Sequence, residues 1–428
     1  MTPAQLSVAF FLQMFFILAV CRGVGWFARK LGQPQVVGEM IAGVLIGPSL
    51  LGLIFPAFQK QIFPAESMNF LYIGAQFGVG LYMFLVGVEF KTEFFRARVR
   101  SAASVSLAGM LVPFACALAL TPWLMKVPGL FSAKTTSFEA ILFLGAAVSI
   151  TAFPMLARII YERGMTGTPL GTLALSAGAI DDAAAWCVLA IVLASFQKLP
   201  DGSMDLAIAF KAIGGGLGYA LLMILAGRKL LAPLGRMAER EGKISPTLLS
   251  IVLMLFCLSA WAMDAIGIHA VFGGFLLGTA MPRGFFAAEL RKKLEPFAVV
   301  FLLPMFFTFS GLKTRLDMVN SPELLLIALV VLAASVLGKG VACWAAARLN
   351  GEDNRTALAV GTLMNSRGLM ELIIINIGLQ KGVIQPGLFS ILVLMAIVTT
   401  LMATPLFEYV YGRHARKAGE LAGAPVEA

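Results

Sequence analysis

Two adjacent carboxylates, Asp181 and Asp182, stand in the run SAGAIDDAAAWCVLA among small and apolar side chains only. An ionised group in such surroundings costs several kcal/mol unless it is paired or hydrated, so residues of this kind persist mainly for function. Neighbours on a helix are about 100° apart, and the two acids therefore face different partners. One can pair with a basic residue while the other faces a water-filled cavity. A carboxylate in a partly dehydrated cavity holds either a proton or a hard monovalent cation, and not both well. That competition is a means of coupling two ion fluxes. A neighbouring lysine would stabilise one of the acids and, when desolvated, give up its own proton more readily. Glu39 and Glu371 also fall inside apolar runs, whereas Glu89 and Asp264 lie near run ends and read as interfacial.

Backbone chemistry accompanies these charges. The run AAVSITAFPMLARII carries Pro154, which removes an intrahelical hydrogen bond and clashes with the turn before it. Ser149 and Thr151 add hydroxyls beside it. A second run, GTLMNSRGLMELIIINIG, places Asn365, Ser366, Arg367 and Gly368 in mid-segment. Interrupted helices whose freed carbonyls and dipole ends meet at the membrane midplane are how secondary transporters build ion sites. Pro154, Asn365 and Gly368 are therefore the expected helix breaks. Lys339 and Arg367 are the deep basic residues; Arg22 and Lys211 lie nearer segment ends, where long stems carry the charge to water.

The elements that hold these groups follow from composition. The chain has 428 residues, 59% hydrophobic and 13% charged, with mean hydropathy +0.89. Soluble domains carry about 25% charged residues. A soluble enzyme, a disordered protein and a nucleic-acid module are excluded, and an all-α polytopic membrane protein remains. About thirteen transmembrane helices can be marked, at roughly 5–27, 35–54, 68–89, 101–123, 138–157, 169–195, 205–227, 246–263, 268–281, 296–312, 324–347, 356–379 and 386–410. The two interrupted segments are the fifth and the twelfth. With thirteen helices the first six and the last six run in opposite directions, the arithmetic of an inverted repeat with two crossed, unwound helices.

The net charge of +10 is distributed unevenly over the loops. Arg228, Lys229, Arg236, Arg240 and Lys243 gather in one loop, against Lys198 alone in the loop before it. The positive-inside rule then places the N-terminus outside and the C-terminus in the cytoplasm of a bacterial-type inner membrane. The first run lacks a basic leader region and is long enough to span, so it reads as a first helix rather than a cleaved signal. The five cysteines show no metal or redox spacing and read as packing residues. His269 and His414 assemble no catalytic or metal constellation, so no enzyme and no cofactor is expected.

The strings GEMIAGVLIGPSLLG, FLVGVEF, SITAFPMLARI, DDAAAW, GIHAVFGGFLLG, GKGVACW and MNSRGLMELIIINIG occur in the order of the monovalent cation:proton antiporter superfamily. The chain resembles its second branch (CPA2), particularly the cation/H⁺ exchangers of CHX type, from about residue 35 to 405. The resemblance implies an NhaA/NapA-like antiporter fold, a homodimer and an elevator-like motion. It implies a core domain from about 101–195 and 324–410 and a dimerisation domain from about 5–89 and 205–312; the few residues after Tyr411 read as a short cytoplasmic tail, 412–428, without a soluble regulatory domain. Asp182 matches the family's main cation- and proton-binding aspartate, and Asp181 the position before it. Lys339 matches a lysine that, in two-aspartate relatives, pairs with the first aspartate. Thr151 and Ser149 fall in the first crossing segment as candidate ligands, while Arg367 and Glu371 match charged positions with a structural or gating role. Plant members tend to have Asn-Asp where this chain has Asp-Asp, and the double aspartate with a lysine is similar to electrogenic bacterial antiporters.

The expected activity is exchange of Na⁺ or K⁺ for H⁺, with the monovalent cation bound at Asp182. The alternative is a cation channel, which would pass ions downhill without proton coupling. A buried double aspartate is electrostatically wrong for an organic anion.

Overall fold

The computed structural model describes residues 2–33, 35–89, 99–163, 165, 168–195, 206–266, 270–314, 319–412 and 415. His269, His414, Lys198 and most of the tail 412–428 lie outside these residues.

The regular structure among the described residues is all helical, apart from one isolated bridge between Phe131 and Ile384. In chain order the principal helices are α1 (Pro3–Lys30), α2 (Gln35–Ile46), α3 (Met68–Glu89), α4 (Val99–Leu124), α5 (Ser137–Ser149), α6 (Phe153–Glu162), α7 (Pro169–Ser195), α8 (Leu206–Leu222) and α9 (Arg228–Glu241). They continue as α10 (Pro246–Ile266), α11 (Ala270–Ala280), α12 (Phe285–Phe297), α13 (Leu303–Lys313), α14 (Pro322–Leu349), α15 (Asn354–Leu363), α16 (Leu369–Gln380) and α17 (Pro386–Phe407). Each of the thirteen expected segments has a helical counterpart. Nine helices among the described residues are long and apolar enough to cross a membrane. The others are the 27-residue α7, the 11-residue α11, and two segments split into the pairs α5/α6 and α15/α16.

The chain divides into two compact units, residues 1–26, 39–91 and 193–313, and residues 27–38, 92–192 and 314–428. In the first, α3 packs on α11 and α13. Helices in lipid gain no hydrophobic drive from each other, so small residues that allow close backbone approach decide where they touch. A Cβ on Gly311 would fall on the Gly43 backbone. Between α3 and α11, Gly80 and Gly274 lie against the buried ring of Phe256, whose centroid is 5.8 Å from that of buried Phe84. Gly311→Ala should therefore force α2 and α13 apart, at a cost of about 1–3 kcal/mol. The check is a lowered Tm in detergent by fluorescence-detected gel filtration; an unchanged Tm would mean that these backbones do not rest on each other.

Glu39, 3% exposed, belongs to this first unit. Glu89 ends α3 and pairs with Arg291, and Asp264, near the end of α10, accepts a hydrogen bond from the Ala270 amide at 2.9 Å. The latter is an anion at a helix N-terminus.

The second unit is built round its two interrupted helices. The first breaks at residues 150–152, where Ile150 is extended (φ −79°, ψ 133°). Pro154 falls in the first turn of α6, where its missing N–H has no helical partner to lose. The second breaks at residues 364–368, and the two cross at their breaks. The Ala152 amide donates to the Ser366 carbonyl at 3.0 Å, and the Thr151 hydroxyl to the Met364 carbonyl at 2.8 Å. Asp353 caps α15 by accepting from the Arg355 and Thr356 amides. Hydrogen bonding by Thr356 is the main cause that holds its carboxyl below the usual range.

Candidate ion-binding site

Asp181 and Asp182 lie near the middle of α7 and are both 0% exposed. Asp181 receives three donors. Lys339 Nζ lies 2.7 Å and the Thr151 amide 3.2 Å from Oδ2, and the Ser106 hydroxyl lies 3.0 Å from Oδ1. The crossing segment thus contributes a backbone N–H freed by its own break.

Lys339, on α14, is itself 0% exposed. An ammonium has three protons to place, and each finds an acceptor: Asp181, the Ser149 carbonyl, and the Gly109 carbonyl at 3.3 Å. The Gly109 carbonyl is available because Pro113, four residues on in α4, has no N–H to bond it. Space matters here too, since a Cβ on Gly109 would lie 2.6 Å from Cys343 Sγ. Ser149 meets Lys339 through its carbonyl, while its hydroxyl turns back to the Ala146 carbonyl at 3.4 Å. The end of α5 leaves that carbonyl without a helical partner, which makes the main chain the better acceptor.

Arg367 closes the same helix end. Its guanidinium, 0% exposed, donates to the carbonyls of Ala147 (3.1 Å), Val148 and Ile150 (3.0 Å), and to the Ser335 hydroxyl. A fork of donors on the last turn of α5 satisfies orphan carbonyls and opposes the negative end of the helix dipole. Glu371, 1% exposed, lies one turn along α16 with Oε2 3.8 Å from Arg367 Nε. The Thr400 hydroxyl holds the Arg367 carbonyl at 2.9 Å. Asn365 donates to the Val336 and Gly361 carbonyls at 3.2 and 3.1 Å, tying the second break to α14. A Cβ on Gly368 would lie 2.8 Å from Met155 Cγ, so the breaks need glycine there to approach.

Asp182 is the next residue round α7 from Asp181. Gly178, one turn earlier on its face, lies against Phe153 and Leu156 at the start of α6. The face that carries Asp182 is therefore the face that packs on a helix N-terminus, where negative charge is favoured.

The second unit thus gathers Asp181, Asp182, Lys339, Ser149, Thr151, Asn365, Arg367, Gly368 and Glu371 round the crossed breaks. Ser106, the Gly109 carbonyl, Ser335 and Thr400 were not foreseen in the sequence. Pro113, a proline inside an apolar segment, is the mark in the sequence that could have pointed to the Gly109 carbonyl.

A model of the sodium/hydrogen exchanger transmembrane family matches residues 15–409. The chain is 40% identical over 397 residues to the Na(+)/H(+) antiporter NhaS4 of Synechocystis, covering 92% of this chain and 95% of that protein. It is 34% identical to cation/H(+) antiporter 18 of Arabidopsis thaliana, over 97% of this chain and 51% of that protein, and so spans about half of this relative's length. The solved structure of the sodium proton antiporter MjNhaP1 from Methanocaldococcus jannaschii superposes with a TM-score of 0.63 over 93% of this chain and 95% of the other, at 14% identity. That likeness is one of fold. The chain is an integral membrane protein and belongs to the sodium/hydrogen exchanger family.

Proposed function

We propose that this chain exchanges a monovalent cation, Na⁺ or K⁺, for H⁺ across a bacterial-type inner membrane, with Asp182 binding cation and proton in alternation. The observation that carries this reading is a buried Asp181–Lys339 pair with a second buried carboxylate at the next position, set beside two crossed helix breaks. Lys339 is committed to Asp181 in this arrangement, and Asp182 serves the transported ions. Thr151 and Ser149 contribute main-chain or hydroxyl oxygens. Arg367 and Glu371 act by holding the first break in shape rather than by touching the ion. Relatives named as antiporters of Na(+) or of cations for H(+) support the same activity.

In this reading the second unit is the moving core and the first unit carries the contacts of a homodimer, with elevator-type alternating access between them. The N-terminus lies outside and the C-terminus in the cytoplasm, a reading the loop charges support.

The test is a proteoliposome with an interior pH dye and an imposed pH gradient. Addition of Na⁺ or K⁺ should dissipate the gradient, and the ion that does so at lower concentration is the substrate. Tracer cation crossing with no proton movement would establish the channel alternative instead. Asp181→Asn adds a second measurement. Loss of the ionic partner frees the Lys339 charge, so the variant should require severalfold more cation for half-maximal exchange, or carry a different charge per cycle under a voltage clamp. A wild-type concentration and voltage dependence would remove Asp181 from the mechanism.

A further inference from the structure

Away from the crossed breaks, the first unit holds a groove of about 280 Å³ between α9 and the turn that follows α11. Arg228, Ala232, Gly235, Arg236 and Glu239 line it from α9. These positions recur at helical spacing and form one stripe. Arg283 faces them from the turn. The floor is small and apolar, because a Cβ on Gly235 would lie 2.8 Å from Pro282 Cβ. Arg283 is held in place: it donates to the Val88 carbonyl and, at 3.0 Å, to the Thr279 carbonyl. Arg228 and Arg236 are exposed and two turns apart on α9, about 12 Å along its axis. Three guanidinium groups that line one groove offer the N–H donors a phosphate accepts in pairs.

The surroundings decide which phosphate. Ile224 and Leu225 are 65% and 64% exposed just before the groove, and Leu230 is 67% exposed on the far side of α9. Exposed apolar side chains thus adjoin the guanidinium groups that begin at Arg228, the pattern expected where acyl chains meet headgroups. A phosphate arriving from solution would need no apolar border. Glu239 closes one end of the groove. A carboxylate there repels a second phosphate and accepts hydrogen bonds from hydroxyls.

We propose that this groove binds the headgroup of an anionic, hydroxyl-bearing phospholipid of the phosphatidylglycerol type. Its phosphate sits among Arg228, Arg236 and Arg283, and its hydroxyls meet Glu239. The lipid then staples α9 to the α11–α12 turn.

The purified protein in detergent would be heated with dioleoylphosphatidylglycerol, with dioleoylphosphatidylcholine and with inorganic phosphate in turn, and unfolding followed by tryptophan fluorescence. Phosphatidylglycerol should raise the Tm by several degrees, as expected of a ligand that binds only the folded state. Phosphatidylcholine and inorganic phosphate should leave it unmoved. The double variant R228Q/R236Q removes two of the three guanidinium groups; measured against its own lipid-free Tm, it should lose the phosphatidylglycerol response. An equal response to phosphatidylcholine, or a full response in the double variant, would overturn the proposal. An equal response to inorganic phosphate would overturn its lipid part by making the groove a site for free anions. Were the double variant not to fold, the headgroup selectivity of the wild-type protein alone decides.

Discussion

Asp182→Asn should reduce cation-driven proton flux to the level of protein-free vesicles while leaving the protein folded. Asparagine keeps the shape of the side chain and removes its charge. It can neither release a proton at working pH nor offer a cation a full negative charge. Both halves of the exchange fail together, so neither Na⁺ nor K⁺ at any concentration should restore the flux. Stability should hold or rise, because a buried carboxylate is expensive to keep ionised. The check is the dye-loaded proteoliposome, with the Tm and the gel-filtration profile of the same preparation as the folding control. Wild-type flux from a folded Asp182→Asn protein would refute the assignment of Asp182 and leave the Asp181–Lys339 pair as a structural feature of the core.

Arg367→Met should have the largest effect on stability. The native guanidinium serves two carbonyls of the last turn of α5, the Ile150 carbonyl in the break and the Ser335 hydroxyl, all in a place closed to water. Methionine fills much of the volume but supplies no donor. The carbonyls are then buried without partners, at about 1–3 kcal/mol each when unrelieved, and Glu371 loses the cation 3.8 Å from it. Relaxation of the break recovers part of this. A net loss of about 3–5 kcal/mol is expected, the usual cost of removing one member of a buried charged pair. Detergent-solubilised Arg367→Met should show a strongly lowered Tm and a shrunken monodisperse peak. Lysine at the same position should recover only part of the loss, since one ammonium cannot span the fork. Adding Glu371→Gln should restore some of what Arg367→Met removes, because the stranded carboxylate goes with it. A wild-type Tm in Arg367→Met would show that the end of α5 needs no such cap.

Much of the architecture is a property of short stretches of chain. A charge inside an apolar run is conspicuous from the run alone, because hydrocarbon penalises it unless a partner or water is supplied, so Asp181, Asp182, Lys339, Arg367 and Glu371 stand out. The same is true of the interruptions. Pro154 and the polar cluster at Asn365–Gly368 disrupt a helix through backbone chemistry that acts within one turn. The number of spans follows from the length of apolar runs against bilayer thickness.

Partnership was not readable in this way. Asp181 and Lys339 are 158 residues apart and Arg367 lies 220 from the Ala147 carbonyl it holds; in the sequence the first pairing rested on resemblance and the second had no mark at all. Ser106 and Ser335 belong to a residue type common in membrane helices, and the acceptors of Lys339 and Arg367 are mostly main-chain oxygens that every residue owns. Ser149 shows the difference within a single residue: its type suggested the hydroxyl, while the end of α5 made its carbonyl the group that meets Lys339. Sequence by itself determined which groups are costly to bury and where helices cannot continue, because both are local. Tertiary structure alone decided which donor satisfies which acceptor, because an interrupted helix exposes identical carbonyls and amides and only the packing of α4, α14 and the second break against them selects their partners.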